Sequence, residues 1–288
     1  AAGTKEEDAI SQLFITNTHS YILIFTNQGK IHWLKVYKIP EASRQALGKA
    51  IVNFVELKDG EIINAIISIK EFNDKEYLTF CTERGIIKKT NLAEYSRPRQ
   101  GGIIAINLDA GDRLVKVMLT NGMKNIIIAT SNGRAVKFDE RDVSVVGRNA
   151  RGVRGIKVEK DDKVIGMVEA EDTKSLLTIT ENGFGKRTMI SEYRLIRRGG
   201  SGVTNIVCSP RNGKVVGIKT VVDSDEIIII SKKGIIIRTK AEYIKCIGRN
   251  TQGVRLMKLS QDDKVVGIEK IVNGERNSSE INTNYSRS

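Results

Sequence analysis

KDDKVIGMV, residues 160–168, decides the architecture: a polar turn at Lys160–Lys163 runs directly into a short apolar strand from Val164 to Val168. The same element recurs as EEDAISQLF, KDGEIINAI, AGDRLVKVM, RNGKVVGIK and QDDKVVGIE. Aligned turn residues fall at Asp8, Gly60, Gly111, Asp162, Gly213 and Asp263, in steps of 52, 51, 51, 51 and 50. Self-similarity at a fixed period is the signature of a repeat architecture.

Working outward, each turn-strand element is followed by a hairpin signal. FTNQGKIHW, CTERGIIKK, TSNGRAVKF, TENGFGKRT and SKKGIIIRT carry turn glycines at Gly29, Gly85, Gly133, Gly183 and Gly234. Glycine supplies the positive φ that tight hairpins need, and the flanks are rich in β-branched residues. A third series of strands enters from Ala50, Gly102, Gly152, Gly202 and Gly253, in steps of 52, 50, 50 and 51. One unit is therefore four short strands in about 51 residues. No window sustains a 3.6-residue period, so the chain reads as all-β. A four-stranded unit cannot cover both its faces alone, and radial packing of copies does so while protecting strand edges. The expectation is a propeller-like disc of six blades. It occupies residues 1–272, with 273–288 a polar tail.

Six turn-strand copies stand against five hairpins and five linkers, and the unmatched copy is the first, at residues 4–16. The first unit is thus expected to be incomplete at its start, with the missing hairpin and linker upstream or the ring completed by a terminal segment.

The chain has 288 residues and a formal charge of +13, with 47 Lys and Arg against 34 Asp and Glu. An excess of this size points to a polyanionic partner, nucleic acid before a membrane surface. The absence of a long apolar stretch or secretory leader leads to the expectation of a soluble, intracellular protein with no membrane contact. Cys81, Cys208 and Cys246 are far apart and read as small buried apolar residues. His19 and His32 read as structural or surface groups, and Trp33 as a residue packed on a neighbouring unit. The acids of the 160–163 and 261–264 turns read as turn formers, because the equivalent turns elsewhere are KDG and RNG. No nucleophile, base and orienting group recur together, so neither catalytic residues nor a metal or cofactor site is assigned.

Charge position is more informative than total charge. The linkers at 44–52, 97–102, 148–157, 194–202 and 249–258 hold 14 Lys or Arg and no Asp or Glu. Average composition would place about 7 bases and about 5 acids there. Arg-Gly loops suit phosphate oxygens, since Arg presents a planar fork and Gly allows close backbone approach. No helix is available for the major groove and aromatics are sparse, so duplex held by its phosphates is the favoured reading. The candidate DNA-binding residues in the linkers are Arg44, Lys49, Arg97, Arg99, Arg148, Arg151, Arg154, Arg197, Arg198, Arg249 and Arg255. A second basic set follows the hairpin glycines by four residues: Lys89, Lys137, Arg187 and Arg238, with Trp33 the exception. Lys88 and Lys186 adjoin it.

The strings KVYKIPEASRQALGKAIVN, NGFGKRT and VGRNTQGV resemble the C-terminal domain of the bacterial DNA gyrase A subunit, from EEDAI to about VGIEKIV. The resemblance implies a six-bladed β-pinwheel, whose blades exchange strands, that bends and wraps duplex DNA around a basic perimeter in support of ATP-dependent negative supercoiling. It implies a non-catalytic role, with ATP on the B subunit and the cleaving tyrosine in the N-terminal part of the A subunit. The rest of the A subunit, as a homodimer, and the B subunit are the implied partners. The family's box, Q-R-R-G-G-K-G, belongs to the first blade and is missing; its nearest relic is Arg197–Gly202. Binding and bending are therefore expected of this chain, and directed supercoiling without the box is not. Alternatives are the topoisomerase IV A-type counterpart and a protein-interaction propeller.

Overall fold

The computed structural model describes residues 17–41 and 53–271. These residues form nineteen strands and no α-helix, with short 3-10 turns after the hairpins. Five sheets result. The first contains β1 (Tyr21–Thr26), β2 (Lys30–Lys35), β3 (Ile63–Ile69) and β6 (Ile103–Ile104), in the order β3-β1-β2-β6. The second contains β4 (Tyr77–Thr82), β5 (Ile86–Asn91), β7 (Leu114–Thr120) and β10 (Val153–Arg154). The third contains β8 (Asn125–Thr130), β9 (Arg134–Asp139), β11 (Val164–Glu169) and β14 (Val203–Thr204). The fourth contains β12 (Ser175–Thr180), β13 (Phe184–Met189), β15 (Val215–Val221) and β18 (Val254–Arg255). The fifth has β16 (Glu226–Ser231), β17 (Ile236–Lys240) and β19 (Val265–Ile271), and no fourth strand among the described residues.

The all-β, propeller-like arrangement is as the sequence implies, but the expected six blades are corrected to five. The turn-strand copy at 4–16 and the tail at 273–288 lie outside the described residues. The repeat unit is also not the blade. Each of the first four hairpins pairs on one side with the strand that follows it and on the other with a two-residue strand that arrives only after the next hairpin, as β2 does with β6. Every outer strand is thus donated by the neighbouring unit.

Four of the five hairpin glycines, Gly29, Gly85, Gly133 and Gly183, are fixed by two demands. At Gly133 φ is +79°, which an L side chain rarely adopts, and a Cβ would lie 2.2 Å from the carbonyl oxygen of Ile206 on the donated segment. At Gly234 φ is +83° with nothing within 4 Å, and the edge of β17 carries no donated strand among the described residues. In the 160–163 turn the left-handed residue is Asp161 (φ 65°), one position before the residue aligned from sequence. Asp162 instead accepts from the backbone N–H of Asn132 (2.9 Å) and Lys163 (2.8 Å), tying this turn to the hairpin tip. Asp263 does the same with Lys233 and Lys264. The turn role of these acids is what the structure shows.

The core lies between blades. Residues of one strand point alternately to its two faces, so Leu23 and Phe25 pack with Leu78 and Phe80 of the next sheet, while Ile22 and Ile24 pack with Val55 on the opposite face. Cys81, Ile87, Ile126 and Ile128 build the next layer. Burial on both faces explains the near-continuous apolar runs such as NIIIAT. The inner strands β3, β7, β11, β15 and β19 pack in series, with no comparable packing between β3 and β19. Leu114, Val164, Val215 and Val265 each donate a backbone N–H to the hairpin tip of the preceding blade. Of the cysteines, Cys81 is buried, Cys208 half-buried and Cys246 exposed, which corrects the expectation that all three are interior.

Candidate nucleic-acid interface

The four described linkers, 97–102, 148–157, 194–202 and 249–258, emerge at the outer edge of the sheets. At the second blade, β5 pairs with the segment before the linker through a parallel bridge, Lys89 to Val145, and with β10 in the second half of that linker. The intervening loop has only one way to go, outward. The third and fourth hairpins repeat the bridge at Lys137–Leu195 and Arg187–Cys246.

Successive linkers are joined. The backbone N–H of Asn107 donates to Ala150 (3.4 Å) and its side-chain amide to Asn149 (2.6 Å). One blade on, Lys157 donates to Gly200, and beyond it Val207 to Thr251, both at 2.9 Å. Arg198 clasps the preceding linker through the carbonyl of Arg154 (3.0 Å), and Arg249 bonds the carbonyl of Thr204 (3.1 Å) in the strand just past linker 194–202. The rim is one hydrogen-bonded belt running from linker 97–102 through 249–258.

Arg97, Arg99, Arg154, Arg197 and Arg255 are exposed on this belt. Among the described residues none of these five side chains is in an ion pair, and Arg255 lies over the Phe184 ring at 5.2 Å. Arg148, Arg198 and Arg249 are half-buried. Arg151 is exposed but paired with Asp109, an acid just outside the acid-free linkers. Arg238 is exposed on the open edge and paired with Glu226. Arg44 and Lys49 lie outside the described residues.

Apart from Arg238, the second basic set and its two neighbours are placed differently, and the assignment of Lys88, Lys89, Lys137, Lys186 and Arg187 to phosphate contact is corrected. Lys88 and Lys186 are fully buried, and Lys89, Lys137 and Arg187 nearly so. Lys89 donates to Glu140 (2.8 Å), Lys137 to Ile190 (3.3 Å) and Arg187 to Ile244 (2.9 Å), in each case at the 3-10 turn of the following unit. Trp33 is no exception: its indole N–H donates to Tyr95 at 2.9 Å. The position demands a long side chain ending in an N–H, and charge is incidental. Lys137 and Arg187 also reach Asp172 and Asp223. Burial, then the Arg148 guanidinium, pushes Lys88 down to about 7. Burial brings Lys186 down to about 8, opposed by Glu192 and aided by Arg249. Burial also lowers Lys89, against the pull of Glu140 and Asp139.

Exposed bases absent from the candidate set include Lys157, Arg194, Lys245 and Lys258. Three of them fall in the acid-free linkers, so the signal was present. Arg134 was not foreseeable, because its guanidinium grips Gly202 (2.6 Å) and Thr204 (3.2 Å) on the donated segment. The opposite edge of the sheets is mixed in sign, with Lys163 facing Glu83 and Lys264 facing Glu181 across blades. Among the described residues no group of acids, histidines and cysteines could hold a metal ion.

Comparison with known proteins agrees with this geometry. The family described as DNA gyrase C-terminal domain, beta-propeller, matches five segments, at 20–70, 76–121, 124–169, 174–221 and 225–271, one for each blade. The A subunit of DNA gyrase from Salmonella typhimurium is 44% identical over 94% of this chain and 31% of that protein, and that from Escherichia coli is 41% identical over the same shares. The chain spans about a third of the length of these relatives. A solved C-terminal domain of DNA topoisomerase IV superposes with a TM-score of 0.86 at 28% identity, covering 94% of this chain and 84% of that one. A DNA gyrase A C-terminal domain superposes with a TM-score of 0.77 at 26% identity, covering 91% and 90%. The chain belongs to the DNA gyrase A C-terminal domain family, within the type IIA topoisomerases.

Proposed function

We propose that this chain binds duplex DNA without sequence specificity along the linker belt, bends it, and serves as the non-catalytic wrapping domain of a gyrase. The observation that carries the reading is the belt itself: acid-free linkers hydrogen-bonded in series, with Arg97, Arg99, Arg154 and Arg197 exposed and unpaired. Bending 20 to 30 bp by 40 to 90° costs about 1–6 kcal/mol, so contacts must be multiple and spread along the path. Counterion release at each contact supplies that free energy. The rest of the A subunit, as a homodimer, and the B subunit are the partners in this reading, with DNA cleavage and ATP hydrolysis located there. None of Tyr21, Tyr37, Tyr77, Tyr95, Tyr193, Tyr243 and Tyr285 is assigned to cleavage. A cytoplasmic, nucleoid-associated location accords with a DNA partner. The test is end-to-end energy transfer on a labelled duplex titrated with the chain at several salt concentrations. Shortening that disappears with salt supports the proposal, and binding without shortening refutes it.

The TM-score of 0.86 with the topoisomerase IV domain favours one second reading, an A-type subunit of that enzyme. A holoenzyme carrying this domain separates the two: gyrase introduces negative supercoils, whereas the alternative only relaxes and unlinks.

A further inference from the structure

The repeats of this chain are each other's controls. Three residues after each hairpin glycine stand His32, Lys88, Val136, Lys186 and Ile237. The two lysines occur in units that also carry a buried tyrosine, Tyr95 and Tyr193, where the units following each have Val143 and Ile244. The linkers on the edges of the two lysine hairpins share one pattern, GRNARGVR at 147–154 and GRNTQGVR at 248–255. Those lying over His32 and Val136 read instead RPRQGG and RRGGSG. Lysine, tyrosine and linker type vary together through the chain.

The geometry gives the reason for the lysines and their linkers, while Tyr193 Oη donates to Asn205 (2.6 Å). Lys88 Nζ, fully buried, donates to the carbonyl of Ala105 at 2.7 Å and to that of Arg148. Tyr95 Oη donates to the same Ala105 carbonyl at 3.0 Å. Lys186 Nζ, equally buried, donates to Gly248 (2.7 Å), Arg249 (3.1 Å) and the hydroxyl of Thr188 (3.0 Å), which donates on to Ile247 (2.7 Å). The linkers close tightly over the strands: a Cβ at Gly152 would lie 2.5 Å from the Ile87 carbonyl, and one at Gly253 2.7 Å from that of Gly185. An ammonium has three donors and no acceptor, so it gathers several carbonyls inward while the linker arginines stay outside.

We propose that Lys88 and Lys186 are positioning residues, pins that fix linkers 147–152 and 248–253 from beneath and preset Arg148, Arg151 and Arg249 for a duplex. The proposal rests on the DNA-wrapping reading. Neither lysine reaches solvent, so neither neutralises a phosphate; their contribution is to remove the ordering cost of the loop at the moment of binding. The perimeter then alternates pinned linkers with glycine-rich ones, which sit over His32 and Val136.

The test uses Lys88→Met and Lys186→Met in the full chain. In the DNA-free protein, amide exchange should rise about tenfold or more at 147–153 in the first variant and at 248–254 in the second, with other linkers unchanged, because hydrogen bonds from a charged donor are removed. Lys88→Arg should restore protection. With duplex added, each Met variant should bind more weakly and bend less, at an unchanged salt slope. Unchanged exchange in the pinned linkers overturns the proposal, and so does a slope reduced by about 0.9, which would mean the lysine itself meets a phosphate. Should Lys88→Met fail to fold, Lys88→Gln is read in the same way. Faster local exchange in a chain that binds no duplex even as wild type refutes the wrapping reading and leaves the pin in place.

Discussion

The indole N–H of Trp33 lies 2.9 Å from the carbonyl oxygen of Tyr95, and this one bond joins the hairpin of the first blade to the 3-10 turn of the second unit. Lys89, Lys137 and Arg187 make the equivalent bond one, two and three blades later. The series expects Trp33→Phe and Lys137→Met to destabilise the chain by about 1–3 kcal/mol each: the first leaves the Tyr95 carbonyl without its indole donor, and the second removes the lysine's bonds to Asp172 and to the Ile190 carbonyl, which keeps only the Tyr193 N–H. Urea unfolding measures this. Duplex affinity of the folded fraction should stay at the wild-type value, whereas a lowered salt slope in Lys137→Met would return that residue to the phosphate contacts.

Gly133 is the hairpin glycine with the closest contact, its Cβ position 2.2 Å from the Ile206 carbonyl. Gly133→Ala combines a strained φ with a backbone collision, so it should cost several times the roughly 1 kcal/mol of an ordinary turn glycine. Gly234→Ala meets no neighbour and should cost only the strain of its φ, +83°. Similar melting temperatures for the two variants would contradict strand donation as the second constraint.

Asp109 is paired with Arg151 at the rim. Asp109→Asn removes a negative charge and frees the guanidinium, so duplex affinity should rise, by a factor of a few at low salt. Filter binding at two salt concentrations decides it; weaker binding would place Arg151 away from the path of the duplex.

Lys88 and Lys186 set a pH dependence whose sign is fixed. Their folded-state values, about 7 and about 8, lie below the ordinary lysine value of 10.5, chiefly through burial. Between those values and 10.5 the unfolded chain holds more protons than the folded one, so stability rises with pH across this window. Below about 7 both states are protonated and the contribution is flat. Melting at pH 7 and pH 9.5 should show the rise, reduced in Lys186→Met; a fall with pH in the wild type but not in the variant would reverse the assignment.

The hairpins, the turns and the all-β class were legible because they depend on local chemistry: Gly29, Gly85, Gly133, Gly183 and Gly234 all adopt positive φ. Strand exchange was not. An outer strand such as Val153–Arg154 has two residues, too few to show alternation, and its partner is a hairpin more than sixty residues earlier. The linker arginines were legible as a phase-locked, acid-free set. The lysines after the hairpin glycines were misread because Lys88-Lys89 carries the same letters whether solvated or buried; Trp33, equivalent in position and sharing only the N–H, was the available clue. Copy counting suggested six blades, and the five observed follow from where the hairpins stand.

The central claim is that the linker belt is the track along which duplex DNA is bent. The most direct measurement is the salt dependence of duplex binding, with bending read in parallel, for the wild type and for the combined substitutions Arg97→Glu, Arg99→Glu, Arg154→Glu and Arg197→Glu. The slope of log K against log salt should be steep in the wild type and shallower by about 0.9 for each phosphate no longer neutralised, with bending abolished. Equal slopes and equal bending in the two proteins would contradict the account.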